Sequence, residues 1–199
     1  MLNFSLSPLF NVGIIFIFIE LLGLSEIHYG ILMTIFSTAM LLSPLLLGKK
    51  AKSIPPGNLI VGVFILIGLL TLSMFYATSS TFIHRFNSNF VPLLTLSILV
   101  FAISMLTTIA NITVGTLFDT LVPREYYARV SSVKTMGLLA AFPLGQILFG
   151  LAIDLVSISF TIASVGFIAL LSTAYFRKSF IKQEVLSCNI PSIQSRVRL

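Results

Sequence analysis

Charge is scarce in this chain: Asp, Glu, Lys and Arg together make up 9% of its 199 residues, against about 25% in soluble domains. That scarcity excludes an ordinary soluble domain. Cysteine is rarer still. The single Cys188, near the carboxyl terminus, rules out a disulfide framework and a cysteine metal site. Two histidines, His28 and His84, leave little material for a histidine metal centre. No Gly-rich loop followed by Lys and Ser/Thr is present to cradle a phosphate. Nor are Ser, His and Asp placed to meet at membrane depth as a catalytic triad. Enzyme chemistry and cofactors therefore find no support. What fills the chain instead is apolar: 57% hydrophobic residues and a mean hydropathy of +1.07 imply an all-α, polytopic membrane protein.

The apolar runs predict six spans, at 2–23, 29–48, 58–78, 91–118, 129–156 and 159–176, in a bundle covering 1–180 with a basic tail at 181–199. Each is about long enough for a ~30 Å hydrocarbon core. The first does not read as a secretory signal, because no Lys or Arg precedes it and no small-residue cleavage site follows. Pro55-Pro56-Gly57 breaks the chain before the third span. The fourth is long enough to require tilt or protrusion. Glu20, close to the end of the first span, suits a carboxylate at the headgroup interface.

The net charge of +6 reflects placement rather than a nucleic-acid partner. Every Lys and Arg except Arg85 lies in the second-to-third loop, the fourth-to-fifth loop with Lys134, or the tail. Such asymmetry predicts that these segments and both termini are cytoplasmic, in a multi-pass protein of the cell (plasma or inner) membrane.

Polar residues inside the spans carry the functional reading. Asn3, Ser7 and Asn11 recur every fourth residue on one helix face. In the fourth span Ser104, Thr107, Thr108, Asn111 and Gly115 form a second stripe. Polar groups in lipid must face protein or water. Helix–helix packing accounts for such a stripe, and so does a substrate pathway. The pathway candidates are Asn11, Thr107 and Asn111, the last being the largest polar group at depth.

The rest of the chain is organised around 119–154. There Asp119 begins a polar turn, DTLVPREYYARV, and an apolar run interrupted by Gly137, Pro143, Gly145 and Gly150 follows. Pro143 removes a backbone hydrogen bond, so a bend is expected. Arg129 opens a helix, where the macrodipole disfavours a cation; lipid phosphates or Asp119 would account for its position. The stretch Asp119 to Val130, followed by Pro143-Leu-Gly-Gln-Ile-Leu-Phe-Gly150, resembles the tenth-to-eleventh helix connection of major facilitator superfamily transporters, especially bacterial drug and macrolide efflux members. The chain departs from that pattern at Ala128, where the family usually has Gly. Lys49-Lys50-Ala51-Lys52 occupies the place of a family loop whose Asp is absent here.

The resemblance implies the carboxyl-terminal six-helix half of that fold, with two inverted three-helix repeats. It implies a secondary transporter exporting small molecules by alternating access, with Asp119, Arg129, Pro143, Gly145 and Gly150 as conformational or structural candidates. Eighteen Phe residues are compatible with an amphipathic substrate and equally with lipid contact. One half cannot enclose a substrate. The expected partners are therefore the bilayer, a small molecule and a second six-helix half, either a missing amino-terminal half or a homodimer mate, and the chain reads as a fragment or one partner of a split transporter. A permease subunit driven by a separate ATPase and a six-helix scaffold are the other classes.

Overall fold

The computed structural model describes residues 9–17, 19, 23, 25–79 and 90–175. Five helices in it are long and apolar enough to cross a membrane. A π-helical turn, Leu9–Gly13, leads into a single α-turn, α1 (Ile14–Phe16). Then come α2 (Glu26–Lys52), α3 (Pro56–Ala77), α4 (Phe90–Leu121), α5 (Tyr127–Leu155) and α6 (Ile158–Tyr175). No strand occurs among the described residues. Asn3, Ser7, Glu20, His84, Arg85 and the tail beyond Tyr175 lie outside them.

Helix boundaries follow local chemistry. The link Ser25-Glu26-Ile27-His28 is the first turn of α2 rather than a loop. Ser25 Oγ lies 2.9 Å from His28 Nδ1, the His28 N–H donates to the Ser25 carbonyl at 3.0 Å, and Glu26 sits where the helix dipole favours an anion. Similarly, α3 starts at Pro56, two residues before the apolar run at Asn58. Proline's fixed φ is preorganised for the first helical position, where its missing N–H is not needed. Pro44 and Pro143 stand inside continuous helices.

The bundle is built on α4, which packs against both α2 and α3. Its buried residues Leu96, Val100, Ile103 and Ser104 recur at three- and four-residue steps and form one face. Ile14, Ile17, Leu32, Ile60, Ile67 and Ile162 complete a core that is essentially free of exposure. In lipid such a core gains dispersion contacts rather than a hydrophobic driving force, so close fit decides its stability. α3 and α6 run antiparallel and meet closely. A Cβ built on Gly68 would lie 2.6 Å from Leu170 Cδ2, and one on Gly166 would lie 3.3 Å from the Gly68 carbonyl oxygen.

Candidate functional site

Burial is polarised along the bundle. Where α3 ends and α6 begins, the helices are tied together: Ser159 Oγ donates to the Thr78 carbonyl at 3.1 Å, and the Phe75 and Phe160 rings sit 5.9 Å apart. The opposite end gathers the carboxyl ends of α2 and α4 and the amino ends of α3 and α5. Lys49, Arg124, Arg129 and Lys134 lie there, all exposed. At this basic end three helices lose their packing. Among described side chains, the last buried residue of α2 is Ser43 and the last of α4 is Ala110. In α5 only Gly145, Phe149 and Ile153 are buried, so its first half touches little. Among the described residues, α4 and α5 thus carry their buried positions toward one end and expose the other.

The α4 stripe crosses this transition. Ser104 is buried, Thr107 and Thr108 are half-buried, and Asn111 is exposed. Ser104, Thr107 and Thr108 donate to the carbonyls four residues back, at 2.6, 2.8 and 2.9 Å, which satisfies them within their own helix. Asn111 therefore carries the largest exposed polar group of the stripe. It stands ten residues, about 15 Å, from the end of α4. Nothing lies within 4 Å of a Cβ built on Gly115, so that glycine serves no close helix contact here. Asn11 is exposed and falls in the π-helical turn.

At the α4–α5 turn, Asp119 is engaged by Tyr127, whose hydroxyl donates to Oδ1 at 2.8 Å. The Tyr127 ring meets Phe118 edge-on at 5.9 Å, and Lys134 Nζ sits 4.0 Å above the Phe118 ring. The turn is thus pinned by Asp119, Phe118, Tyr127 and Lys134. Arg129 is exposed beside this cluster rather than within it. Along α5, Pro143 is exposed and Gly145 buried, and Gly150 has open space where a Cβ would stand.

Two features lay hidden in the sequence. Ser43, fully buried, donates to the Met105 carbonyl at 2.7 Å and ties α2 to α4 just above the opening. Below it, a groove of about 580 Å³ separates the same helices, lined by Pro44, Gly48, Ala51, Thr113, Thr116 and Thr120 among others. At 100° per residue this groove face lies roughly opposite the Ser104–Asn111 stripe. The three- and four-residue spacing of Thr113, Thr116 and Thr120 was the available signal. Comparison with family models, with curated proteins and with solved structures finds no match to this chain.

Proposed function

We propose that the chain is one six-helix half of a secondary active transporter of the major facilitator type, exporting small amphipathic molecules by alternating access. The observation that supports this reading is the polarised burial: among the described residues, α2, α4 and α5 have no buried side chain near the basic end while α3 and α6 have buried positions along their length. α2 and α5 hold the same place in the two three-helix sets. Only 17% and 11% of their most apolar windows are buried, against 44%, 33% and 39% for α3, α4 and α6. On α5, Met136 and Leu139 are about 70% exposed and Leu144 and Ile147 about 60%, and at 100° per residue they share one broad face, an arc of roughly 140°. A second bundle laid across α2 and α5 would cover these faces and enclose Asn111 in a wet cavity, the environment a carboxamide at depth requires. The Lys and Arg distribution supports a cytoplasmic location for the basic end, and for both termini, in a cell-membrane protein.

The test combines assembly with transport. Met136→Cys, made after Cys188→Ser, should cross-link α5 to a second bundle, seen as a discrete higher-mass species. Membrane vesicles holding that assembly should accumulate a lipophilic cationic dye only while an ion gradient is maintained, and lose it on adding an ionophore. A chain that cross-links to nothing and moves no dye under any imposed gradient is not a transporter half.

A further inference from the structure

We infer that the groove between the carboxyl-terminal halves of α2 and α4 is a binding site for one anionic phospholipid, holding an acyl chain along α4 and the phosphate at the α2–α3 turn. This does not depend on the transport reading; it needs only the bilayer.

Dimensions select the occupant. The groove runs along α4 from Ile109 to Thr120, eleven residues, or about 16 Å at the helical rise. That is about half of a ~30 Å hydrocarbon core, the depth of one leaflet. Its volume of about 580 Å³ lies within the usual range for small-molecule sites, about 300–1,000 Å³.

The walls are chemically suited to a hydrocarbon chain. Pro44, Ala51, Ile109, Ile112 and Leu117 are apolar. The hydroxyls of Thr113, Thr116 and Thr120 are turned back onto the carbonyls of Ile109, Ile112 and Leu117 at 2.8, 2.9 and 2.9 Å. The threonines thus present methyl groups without leaving a donor unsatisfied. Gly48 keeps the α2 wall open: nothing lies within 4 Å of a Cβ built there.

The sequence at the mouth is basic. Ala51, Ile54 and Pro56 bring the groove to the α2–α3 turn, where the sequence places Lys49, Lys50 and Lys52 on either side of Ala51. α3 begins at the same turn with no side-chain cap on its first N–H groups, so the positive end of its dipole faces the mouth as well. Basic pockets between membrane helices are suited to anionic headgroups. A neutral zwitterion gains less from such a mouth.

The experiment uses the full chain purified in detergent, with phosphatidylglycerol or phosphatidylcholine added at equal concentration and the retained lipid read by native mass spectrometry. One phosphatidylglycerol per chain is expected, with at least tenfold preference over phosphatidylcholine and a rise in melting temperature for the former alone. Gly48→Leu should fill the groove without displacing a neighbour and lower phosphatidylglycerol retention about tenfold; Thr116→Leu fills it from α4 should the first variant fold poorly. Gly62→Leu, also directed into open space, should leave retention unchanged. Lys49→Gln with Lys50→Gln and Lys52→Gln should abolish the preference. Equal retention of the two lipids by the natural chain overturns the inference. So does full retention in both groove-filling variants, which would mean a surface charge effect. Occupancy by a second copy of the chain, seen as a lipid-free dimer lost on Gly48→Leu, overturns it too.

Discussion

Ser43 and Met105 are joined by a 2.7 Å hydrogen bond between the α2 hydroxyl and the α4 main chain. It lies at the point where the two helices stop packing and the groove begins. Removing it should let that point move. Interhelical bonds of this kind contribute about 0.6 kcal/mol on average and up to about 1.7. Ser43→Ala is expected to lower the melting temperature in detergent by a few degrees without impairing insertion. Ser43→Leu, forced against a fully buried site, should cost more, since overpacking costs about 1–3 kcal/mol. Thermal denaturation of the two variants beside the natural protein checks the order.

The α3–α6 contact gives a sharper contrast among glycines. A Cβ on Gly68 would meet Leu170 Cγ at 2.7 Å and Cδ2 at 2.6 Å, closer than side-chain carbons approach, so Leu170 or the helix must shift. On Gly166 the obstacles are Leu72 Cγ at 3.1 Å and the Gly68 carbonyl at 3.3 Å, a main-chain atom that cannot rotate away. Gly68→Val and Gly166→Val should each destabilise the bundle by about 1–3 kcal/mol. Gly62→Ala and Gly137→Ala, with nothing within 4 Å, should be neutral or slightly stabilising because Ala is the better helix former. Equal melting temperatures across all four variants would contradict the close crossing.

The turn between α4 and α5 is held by a small coupled set. Tyr127→Phe keeps the ring against Phe118 but removes the hydrogen bond to Asp119, and Asp119→Ala removes the same bond from the other side. The two changes should therefore act as one. Each alone is expected to speed tryptic cleavage after Arg124, and the double variant no further than the faster single. Additive rates would show that the residues act independently.

How much of this was legible in the sequence depends on what local pattern encodes. Hydropathy placed the five long helices to within a few residues, because length and apolarity are properties of each segment. The shifts were chemical: Ser25 and Glu26 begin α2 early, and Pro56 begins α3 early. Pairing was not legible. Periodicity assigns Thr107, Thr108 and Asn111 to one face of α4 but says nothing of which neighbour that face meets. Ser43 looked like any other small polar residue until α4 was beside it. Likewise Gly68 and Gly166 share their composition signal with Gly62, Gly115, Gly137 and Gly150, and only the helix crossing separates them. Asp119 found Tyr127, eight residues on, because the turn through Pro123 folds α5 back beside it, geometry that a charge-pairing argument with Arg129 does not contain.

Asn111 separates the pathway from packing. Thr108 and Ser104 bond within α4, and Ser43 bonds across to it; all three are at least half-buried. Asn111 is exposed, one residue beyond the last buried position of α4. A side chain there that faces water has water as its partner in the folded bundle, so replacing it with Leu removes little that holds the helices together. Asn111→Leu is therefore expected to leave the melting temperature within a degree or two of the natural protein. Ser43→Ala, in contrast, should lower it. On the proposed transport reading, transport should respond in the opposite order: Asn111→Leu changes the affinity or selectivity for an amphipathic dye in vesicles holding the assembly, and Ser43→Ala reduces the amount of folded protein but not transport per molecule. Thr108→Val, which loses only a bond inside its own helix, should affect neither strongly. A large fall in melting temperature for Asn111→Leu, with transport per folded molecule unchanged, would make Asn111 a packing residue and remove it from the pathway.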